Sequence, residues 1–456
     1  MALIWAALSI GAAAAVAAAG VAVDRDHGRL LVTVGEVSDR GAVVWARPPG
    51  AGPVTVDLGG AAAGSPARRR LSAAASRTRD FTVKLPVRGL ASATRHTYRV
   101  TWRGESVEGG FDTAPEPGTR AGVRLLWSGD LGGAGRCRRA PEGYAIFRAM
   151  AARRPQAFVF VGDTVYADHR CRVPENVPGA DFVATSVRGF RAKHRYQRAD
   201  RAVQAFFRQT AVYAIWDDHE VRNDFAGPVE PLMPAGRRAF LDYWPIVPPR
   251  TDPGRLYRRV RWGGLLELFI LDTRQYRSAN ALPDGPEKTM LGAAQREWLL
   301  ASVTGSDAVW KVIVSSVTLS VPTGRTARDG WANGRAPYNR QGTGTGFERE
   351  LLEIVRRLAE KRVRNLVWLA ADVHRAEVIR HAPRPDLTFH ELVAGPLSAS
   401  TGTPGALDET LRPTRLFAGG GYPNFGELDV GESALTVRIV DGDGTVRHEA
   451  VLTAAP

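Results

Sequence analysis

The spacing of hydrophobic residues divides the chain into two regions. Between residues 29 and 112, short runs that alternate hydrophobic and polar residues are separated by Gly, Pro, Ser and Asp. Such alternation is typical of strands with one buried face, and no helical spacing interrupts it. Residues 25–115 are therefore predicted to form a small all-β sandwich domain of immunoglobulin or fibronectin type, followed by a linker over residues 113–122. The predicted strands are LLVTVGEV (30–37), GAVVWARP (41–48), VTVDLG (54–59), DFTVKLPV (80–87), HTYRVTW (96–102) and VEGGFDT (107–113).

The second region, predicted as a domain over residues 122–456, has a different pattern. Continuous apolar runs predict strands buried on both faces, and they alternate with segments whose hydrophobic residues return every three or four positions, as in helices. The combination predicts an α/β fold. The apolar runs are VRLLW (123–127), AFVFV (157–161), AVYAIW (211–216), LLELFI (265–270), KVIVSS (311–316) and NLVWLAA (365–371); the predicted helices lie in 143–154, 190–210, 293–303 and 347–362. A hairpin around Asp-Gly-Asp-Gly, within residues 433–453, is expected to add edge strands.

The N-terminal end is apolar enough to be a targeting segment. The first 23 residues carry no charge and are rich in alanine. We interpret residues 1–24 as a signal peptide or a membrane anchor, and either predicts export. A cleaved signal peptide is the first hypothesis, and membrane association through an uncleaved anchor is the second. Cys137 and Cys171 are the only cysteines, which allows one disulfide in an oxidising compartment.

The net charge and the absence of two common motifs limit the classes of protein to which the chain could belong. The net charge is +14, and only five of the 61 basic residues are lysines. Arginine richness suits phosphate-bearing partners, but codon usage in a GC-rich genome explains it more simply. No Walker A loop and no Gly-x-Ser-x-Gly elbow occur, which disfavours P-loop nucleotidases and α/β-hydrolases. No specific nucleic-acid-binding module is recognised, and the oligomeric state stays open.

Acidic residues follow five of the six predicted α/β strands, and two of these strand ends add a histidine. Taken alone, an Asp after a strand is most often a helix cap or turn residue. The carboxyl ends of strands form the ligand crevice of open α/β sheets, so residues placed there converge. A shared metal site is therefore the simpler explanation, with Fe, Mn, Ca, Mg or Zn all admissible. The residues concerned are Asp130; Asp163, Tyr166 and Asp168; Asp217, Asp218, His219 and Glu220; Asp272 and Arg274; Asp372 and His374.

Five motifs in order along the chain resemble a known family. They are GDTVYAD (162–168), WDDHE (216–220), LDTRQYR (271–277), DGWANGR (329–335) and ADVH (371–374). Together they resemble the PhoD-type alkaline phosphatases and phosphodiesterases of the calcineurin-like metallophosphoesterase superfamily. The resemblance implies a four-layer α/β/β/α sandwich with a binuclear metal site, preceded by the β-sandwich domain. Two departures stand out: Ala371 replaces the usual glycine of the last motif, and Asp130 stands where such enzymes can present a cysteine.

The resemblance also implies a role for each site residue. His219 would hydrogen-bond the phosphate or protonate the leaving oxygen, and Arg274 would bind phosphate. Apart from the resemblance, Asp217, Glu220 and Asp272 are predicted to orient their neighbours through hydrogen bonds. Iron(III) is favoured at the first ion and calcium(II) at the second, with Mn, Zn or Mg as alternatives. The implied ligands are Asp163 bridging both ions, Asp130, Tyr166 and His374 on the first ion, and Asp218 and Asp372 on the second.

These observations predict an exported, metal-dependent phosphoesterase. Its partner would be a phosphate ester, a monoester or a diester, attacked in line by a metal-bound hydroxide. One alternative is a phosphodiesterase specialised for phospholipid or teichoic-acid-like diesters. Another is a non-enzymatic cell-surface binding protein stabilised by calcium. Because Cys137 and Cys171 flank Asp130 and Asp163 in sequence, a disulfide near the crevice is a further candidate feature.

Overall fold

The structure is a computed structural model and describes residues 28–59, 69–133, 136–324, 327–333 and 344–455. The predicted leader, residues 1–24, lies outside these residues, as do the last two residues of the DGWANGR motif. Along the part of the chain that is described, no helix is both long enough and apolar enough to cross a membrane.

Three sheets hold the strands, which are numbered in chain order. The nine-stranded sheet contains, in spatial order, β20 (Val446–Thr453), β19 (Ala434–Asp441), β18 (Asn424–Val430), β8 (Val123–Ser128), β9 (Ala157–Val161), β10 (Ala211–Ile215), β1 (Leu31–Gly35), β2 (Gly41–Arg47) and β5 (Val83–Arg88). The seven-stranded sheet contains β11 (Arg258–Trp262), β12 (Leu266–Ile270), β13 (Trp310–Val314), β14 (Leu366–Ala370), β16 (Leu387–Val393), β15 (Ala376–Arg384) and β17 (Pro413–Gly419). The four-stranded sheet contains β4 (Arg69–Ala75), β3 (Gly52–Gly59), β6 (Arg95–Trp102) and β7 (Glu105–Asp112).

Helices cover the outer faces of the two larger sheets. They are α1 (Ile146–Ala152), α2 (Val187–Arg198), α3 (Arg201–Phe207), α4 (Met233–Tyr243), α5 (Gly292–Thr304) and α6 (Glu348–Glu360), with short 3₁₀ turns at Arg77–Arg79 and Gly227–Val229. Alternate residues of β13 show the layering: Val312 and Val314 belong to the core between the two sheets, whereas Ile313 belongs to the core under α5 and α6. A strand buried on both faces needs apolar residues at every position, which explains its continuous apolar run. The order helix, sheet, sheet, helix confirms the predicted four-layer α/β/β/α arrangement.

All six predicted α/β strands are present, as β8, β9, β10, β12, β13 and β14. Neighbouring members pair in parallel, so their carboxyl ends lie at the same edge of each sheet. The predicted hairpin near the C-terminus forms β19 and β20, and β20 is an edge strand of the nine-stranded sheet.

The N-terminal strands divide between two sheets. The described residues between 28 and 112 form strands as predicted, apart from loops and the 3₁₀ turn at Arg77–Arg79, but only β3, β4, β6 and β7 form a sheet of their own. β1 instead pairs in parallel with β10, where Gly35 lies opposite Val212, and β2 and β5 extend the same sheet. Arg198 of α2 reinforces the junction, since its guanidinium lies 4.9 Å from the ring of Trp45 and 4.0 Å from that of Trp244.

One predicted helix is two helices in the structure. The segment 190–210 covers most of α2 and all of α3, which are separated at Asp200. The Asp200 carboxylate accepts hydrogen bonds from the backbone N–H groups of Ala202 (2.9 Å) and Val203 (3.1 Å), so it caps α3. α4 was not predicted at all, nor were β4, β11 and β15–β18.

Candidate metal centre

The predicted site residues come together where the carboxyl ends of the two large sheets meet. β8, β9 and β10 bring residues from one sheet, and β12 and β14 bring residues from the other. Asp130, Asp163, Asp372 and His374 all adopt left-handed backbone conformations, with φ of 62°, 49°, 71° and 55°. This conformation is unfavourable for residues with a Cβ, and its concentration here is typical of a functional site whose surroundings hold it in place.

Two groups of ligand atoms share one carboxylate. Asp130, Asp163 and His374 form the first group, and Asp163, Asp218 and His219 form the second; within each group the ligand atoms lie within 4.8 Å of one another. Asp163 therefore belongs to both groups, and it is the residue for which the family resemblance implies a bridging role. The Tyr166 hydroxyl lies 2.8 Å from His374 Nε2, beside the first group. Asp372 follows β14 and adds a carboxylate oxygen that is buried and has no hydrogen-bond partner among the described residues.

Several carboxylate oxygens of the site are buried without a hydrogen-bond partner among the described residues. Among the described residues, both oxygens of Asp130 and Oδ1 of Asp218 are also buried without a hydrogen-bond partner. Burial, followed by the charges of neighbouring carboxylates, raises the pKa of Asp130, Asp163 and Asp372 well above the usual range. Cations would satisfy these oxygens and favour the ionised forms, so the residues fit the binuclear site that the motifs imply.

His219 is held in one orientation by a residue whose role the sequence analysis missed. Its ring stacks on Tyr166 with 4.1 Å between centroids, and its Nδ1–H donates to Asp168 Oδ1 at 2.8 Å. Asp168 Oδ2 in turn accepts from the backbone N–H of Asn223 at 2.9 Å. This arrangement leaves Nε2 of His219 for a ligand. The signal was present, because Asp168 is the last residue of the GDTVYAD motif.

Arg274 does not have the predicted role. Its side chain is fully buried, its Nε donates to Asp217 at 2.6 Å, and its two terminal nitrogens donate to the two oxygens of Asp329 at 2.7 Å each. A guanidinium committed to two carboxylates is not available to phosphate, so the structure corrects the prediction that Arg274 binds substrate directly. Its position instead fixes Asp217, and hence the loop that carries Asp218 and His219. Asp329, from the DGWANGR motif, is the second residue whose role was missed.

The three residues predicted to orient neighbours do form hydrogen bonds within the site. Glu220 Oε1 accepts from both the backbone N–H and the hydroxyl of Thr164 at 2.6 Å, and Oε2 accepts from the Asp217 N–H at 2.9 Å. Asp272 accepts from Trp216 Nε1 at 2.8 Å. These contacts tie the turns after β9, β10 and β12 to one another.

Small residues allow the strand ends to approach closely. A Cβ at Gly162, where φ is +83°, would lie 2.5 Å from Asp217 Cβ, so only glycine fits. A Cβ at Gly129 would lie 2.6 Å from Ala371 Cβ. Gly129 therefore provides the space for Ala371, which explains how this chain accommodates an alanine in the last motif.

Cys137 and Cys171 form a disulfide in the structure, with their Cα atoms 5.8 Å apart. Together with Ala180 and Tyr196 they make a small buried cluster beside the loop that follows Asp168. Lys193 of α2 donates from Nζ to the Ala180 carbonyl at 2.9 Å, which attaches the same loop to the helix.

Known proteins are similar to this chain in sequence and in fold. Alkaline phosphatase D from Bacillus subtilis (strain 168) is 25% identical over 269 residues, which are 52% of this chain and 44% of that protein, so the match spans less than half of the relative's length. A solved structure described as the structure of PhoD superposes with a TM-score of 0.73 at 20% identity, covering 93% of this chain and 88% of that one. Purple acid phosphatase PPD1 from yellow lupin (Lupinus luteus) seeds superposes with a TM-score of 0.65 at 14% identity, covering 93% and 74%.

Two family descriptions match the chain itself. Residues 13–115 match the N-terminal domain of PhoD-like phosphatases, and residues 134–419 match the PhoD-like phosphatase family proper. The second match covers more than half of the 456 residues and contains every predicted site residue except Asp130. This chain therefore belongs to the PhoD-like phosphatase family.

Proposed function

We propose that this protein hydrolyses phosphate esters at a binuclear metal centre. The observation that carries the proposal is the position of Asp163, which belongs to both groups of ligand atoms. A carboxylate shared in this way is what two ions acting together require. Oxygens of Asp130, Asp218 and Asp372 that are buried without a hydrogen-bond partner among the described residues support the same proposal, because cations would satisfy them.

Two ions at this place would lower the pKa of a shared water and clamp the phosphate oxygens during an in-line displacement. The residues of the chain have complementary tasks. His219, oriented by Asp168, would hydrogen-bond the phosphate or protonate the leaving oxygen. Arg274 and Asp329 would hold Asp217 so that the loop after β10 keeps Asp218 and His219 in place.

We infer different ions for the two groups. Burial, and then the charge of Asp163, raises the pKa of the Tyr166 hydroxyl well above its usual range, so only a strongly acidic cation would make it a phenolate ligand. Iron(III) suits that requirement. Asp163, Asp218 and Asp372 offer hard carboxylate oxygens, which suit calcium(II). Metal analysis of the purified protein tests this assignment, and Mn, Zn or Mg in place of either ion would overturn it.

Turnover of p-nitrophenyl phosphate and of its bis-ester tests the activity, and the ratio of the two rates distinguishes a monoesterase from a diesterase. Asp163→Asn should lower kcat by more than about 100-fold. Replacing a residue that merely orients a metal ligand already lowers metal affinity or activity by about 10- to 100-fold. Metal content should fall in parallel, while circular dichroism stays that of the wild type.

The opposite result would favour a binding protein. If neither ester is hydrolysed with Fe, Ca, Mn or Zn, and Asp163→Asn lowers only the thermal stability, the enzymatic proposal is wrong. A calcium-stabilised, non-enzymatic protein would then account for the acidic crevice.

We also propose that the protein is exported. The uncharged first 23 residues and the pairing of Cys137 with Cys171 support this, because disulfides persist in oxidising compartments. Cell fractionation tests it: recovery of the protein only from the cytosol, with both thiols reduced, would contradict export.

A further inference from the structure

A second pocket lies between the N-terminal strands and α4, away from the metal ligands. Its volume is about 590 Å³, within the usual range for ligand sites, and such sites often lie where two parts of a chain meet. We call it the interdomain pocket. Its lining includes four cationic side chains, two from each side of the boundary: Arg79, Lys84, Arg237 and Arg238.

The positive charge of this pocket is not neutralised. Asp242 is the single acidic residue among the described residues that line it, and its carboxylate is bound to Arg191 of α2 at 2.6 Å. Arg79, Lys84 and Arg238 form no ion pair with any residue that the structure describes. This differs from the metal centre, where Arg274 is fully paired with carboxylates.

Two of the cations have only neutral hydrogen-bond partners. Arg237 donates to the side-chain oxygen of Gln275, and the Lys84 ammonium donates to the Ile246 carbonyl. Burial lowers the pKa of Lys84 to about 8, despite the opposing effects of Asp242 and Glu36. A partly desolvated ammonium with a carbonyl as its partner is short of counter-charge, and an anion in the pocket would supply it.

We propose that the interdomain pocket binds phosphate groups of an oligomeric phosphodiester or polyphosphate chain, at a site separate from the metal centre. Guanidinium groups match phosphate geometry in two-point hydrogen bonds, and three arginines line the pocket. A volume of about 590 Å³ with cations on both walls suits a ligand that carries several phosphates better than a single orthophosphate ion. Binding here does not depend on the proposed hydrolysis.

The helix α4, which lines the pocket, also packs against the loop after β10. Gly236, beside Arg237 on α4, packs so closely on the loop after β10 that an added Cβ would lie 2.6 Å from Val221 Cγ2 and 3.1 Å from the Glu220 carbonyl oxygen. That loop carries His219.

Calorimetric titration with inorganic phosphate and with linear polyphosphate tests the proposal. Arg79→Gln/Arg238→Gln removes two exposed cations that have no side-chain partner among the described residues. We expect polyphosphate to bind this variant about tenfold more weakly than the wild type, and to bind the wild type more tightly than orthophosphate does. Melting temperatures of all proteins establish that they are folded.

Two further variants make the test specific. Arg349→Gln/Arg380→Gln removes the same charge at exposed positions on α6 and β15, and should leave the affinity for polyphosphate unchanged. Asp163→Asn should also leave it unchanged, because the metal centre is not the binding site. The proposal is overturned if the Arg79/Arg238 variant binds like the control pair, if Asp163→Asn abolishes binding, or if orthophosphate binds as tightly as polyphosphate. Absence of ester hydrolysis would overturn only the proposed function and would leave this result intact.

Discussion

Individual acidic residues in the metal centre differ in what faces them. Asp217 and Asp218 are adjacent in sequence, and each keeps one buried oxygen without a hydrogen-bond partner among the described residues. The other oxygen of Asp217 accepts from Arg274 Nε and from the Ser316 hydroxyl at 2.6 Å each, whereas the other oxygen of Asp218 accepts from the backbone N–H of Asp224 at 2.7 Å. Of the two, Asp218 belongs to a group of ligand atoms with Asp163, so it is the carboxylate placed for a cation. Asp168 represents a third situation, in which the carboxylate acts through His219.

Asp168→Asn tests the positioning of His219. The amide keeps the size of the side chain but removes the charge that fixes the imidazole, so kcat for p-nitrophenyl phosphate should fall by about 10- to 100-fold. Metal content, measured on the same preparation, should not change. A parallel loss of metal would contradict this prediction and would make Asp168 a ligand, which its proximity to His169 and His219 also permits.

At the level of secondary-structure elements, one side chain separates α2 from α3. The Asp200 carboxylate accepts hydrogen bonds from the backbone of Ala202, Val203 and Tyr144, at 2.9, 3.1 and 3.2 Å. The hydrophobic spacing of residues 190–210 continues through this point, so spacing alone predicts one helix. The capping hydrogen bonds start a new helix after Asp200, because they satisfy N–H groups that have no partner within α3.

Asp200→Ala should therefore destabilise the protein. We expect the free energy of unfolding in urea to fall by about 1 to 2 kcal/mol, the usual range for loss of a helix cap. Asp200→Asn keeps an oxygen that can accept the same bonds and should retain most of the stability. Equal losses in the two variants would show that the charge of Asp200 near Arg138, 3.9 Å away, matters more than the cap.

Across the whole molecule, buried groups connect the N-terminal strands to the α/β region. β1 pairs with β10, and Arg198 contacts Trp45 from one region and Trp244 from the other. His194, one helical turn before Arg198, is buried against Tyr243, with 5.4 Å between ring centroids. Burial, followed by the charge of Arg198, lowers the pKa of His194 to about 3.

This buried histidine makes stability depend on pH. Between pH 6.5 and about 3, the unfolded chain binds a proton at His194 and the native protein does not, so stability is complete above pH 6.5 and declines below it. From pH 7 to pH 5 the decline due to this residue is about 2 kcal/mol. His194→Phe should remove it, so the thermal midpoint should fall less steeply over that interval than in the wild type. Identical slopes for the two proteins would refute the assignment.

Much of the fold was predictable because it depends on neighbours in the chain. The six apolar runs became six buried strands, and the acidic residues that follow five of them reached one edge, since parallel strands end together. Predictions failed where partners were distant. Nothing local shows that β1 would join β10, or that α4 forms, because its apolar residues are interrupted by Pro234, Gly236 and two arginines.

For the candidate site, too, some features were predictable from the sequence and others depended on distant partners. The sequence by itself determined which residue types stand at the strand ends, and hence that Asp130, Asp163 and His374 could meet around a cation. Only the tertiary structure decided which carboxylates remain for that cation. Arg274 pairs with residues 57 and 55 positions away, and Asp168 pairs with His219 across 51 positions. Secondary structure follows from local spacing, whereas the pairing of buried charges depends on which side chains the packed sheets bring into contact.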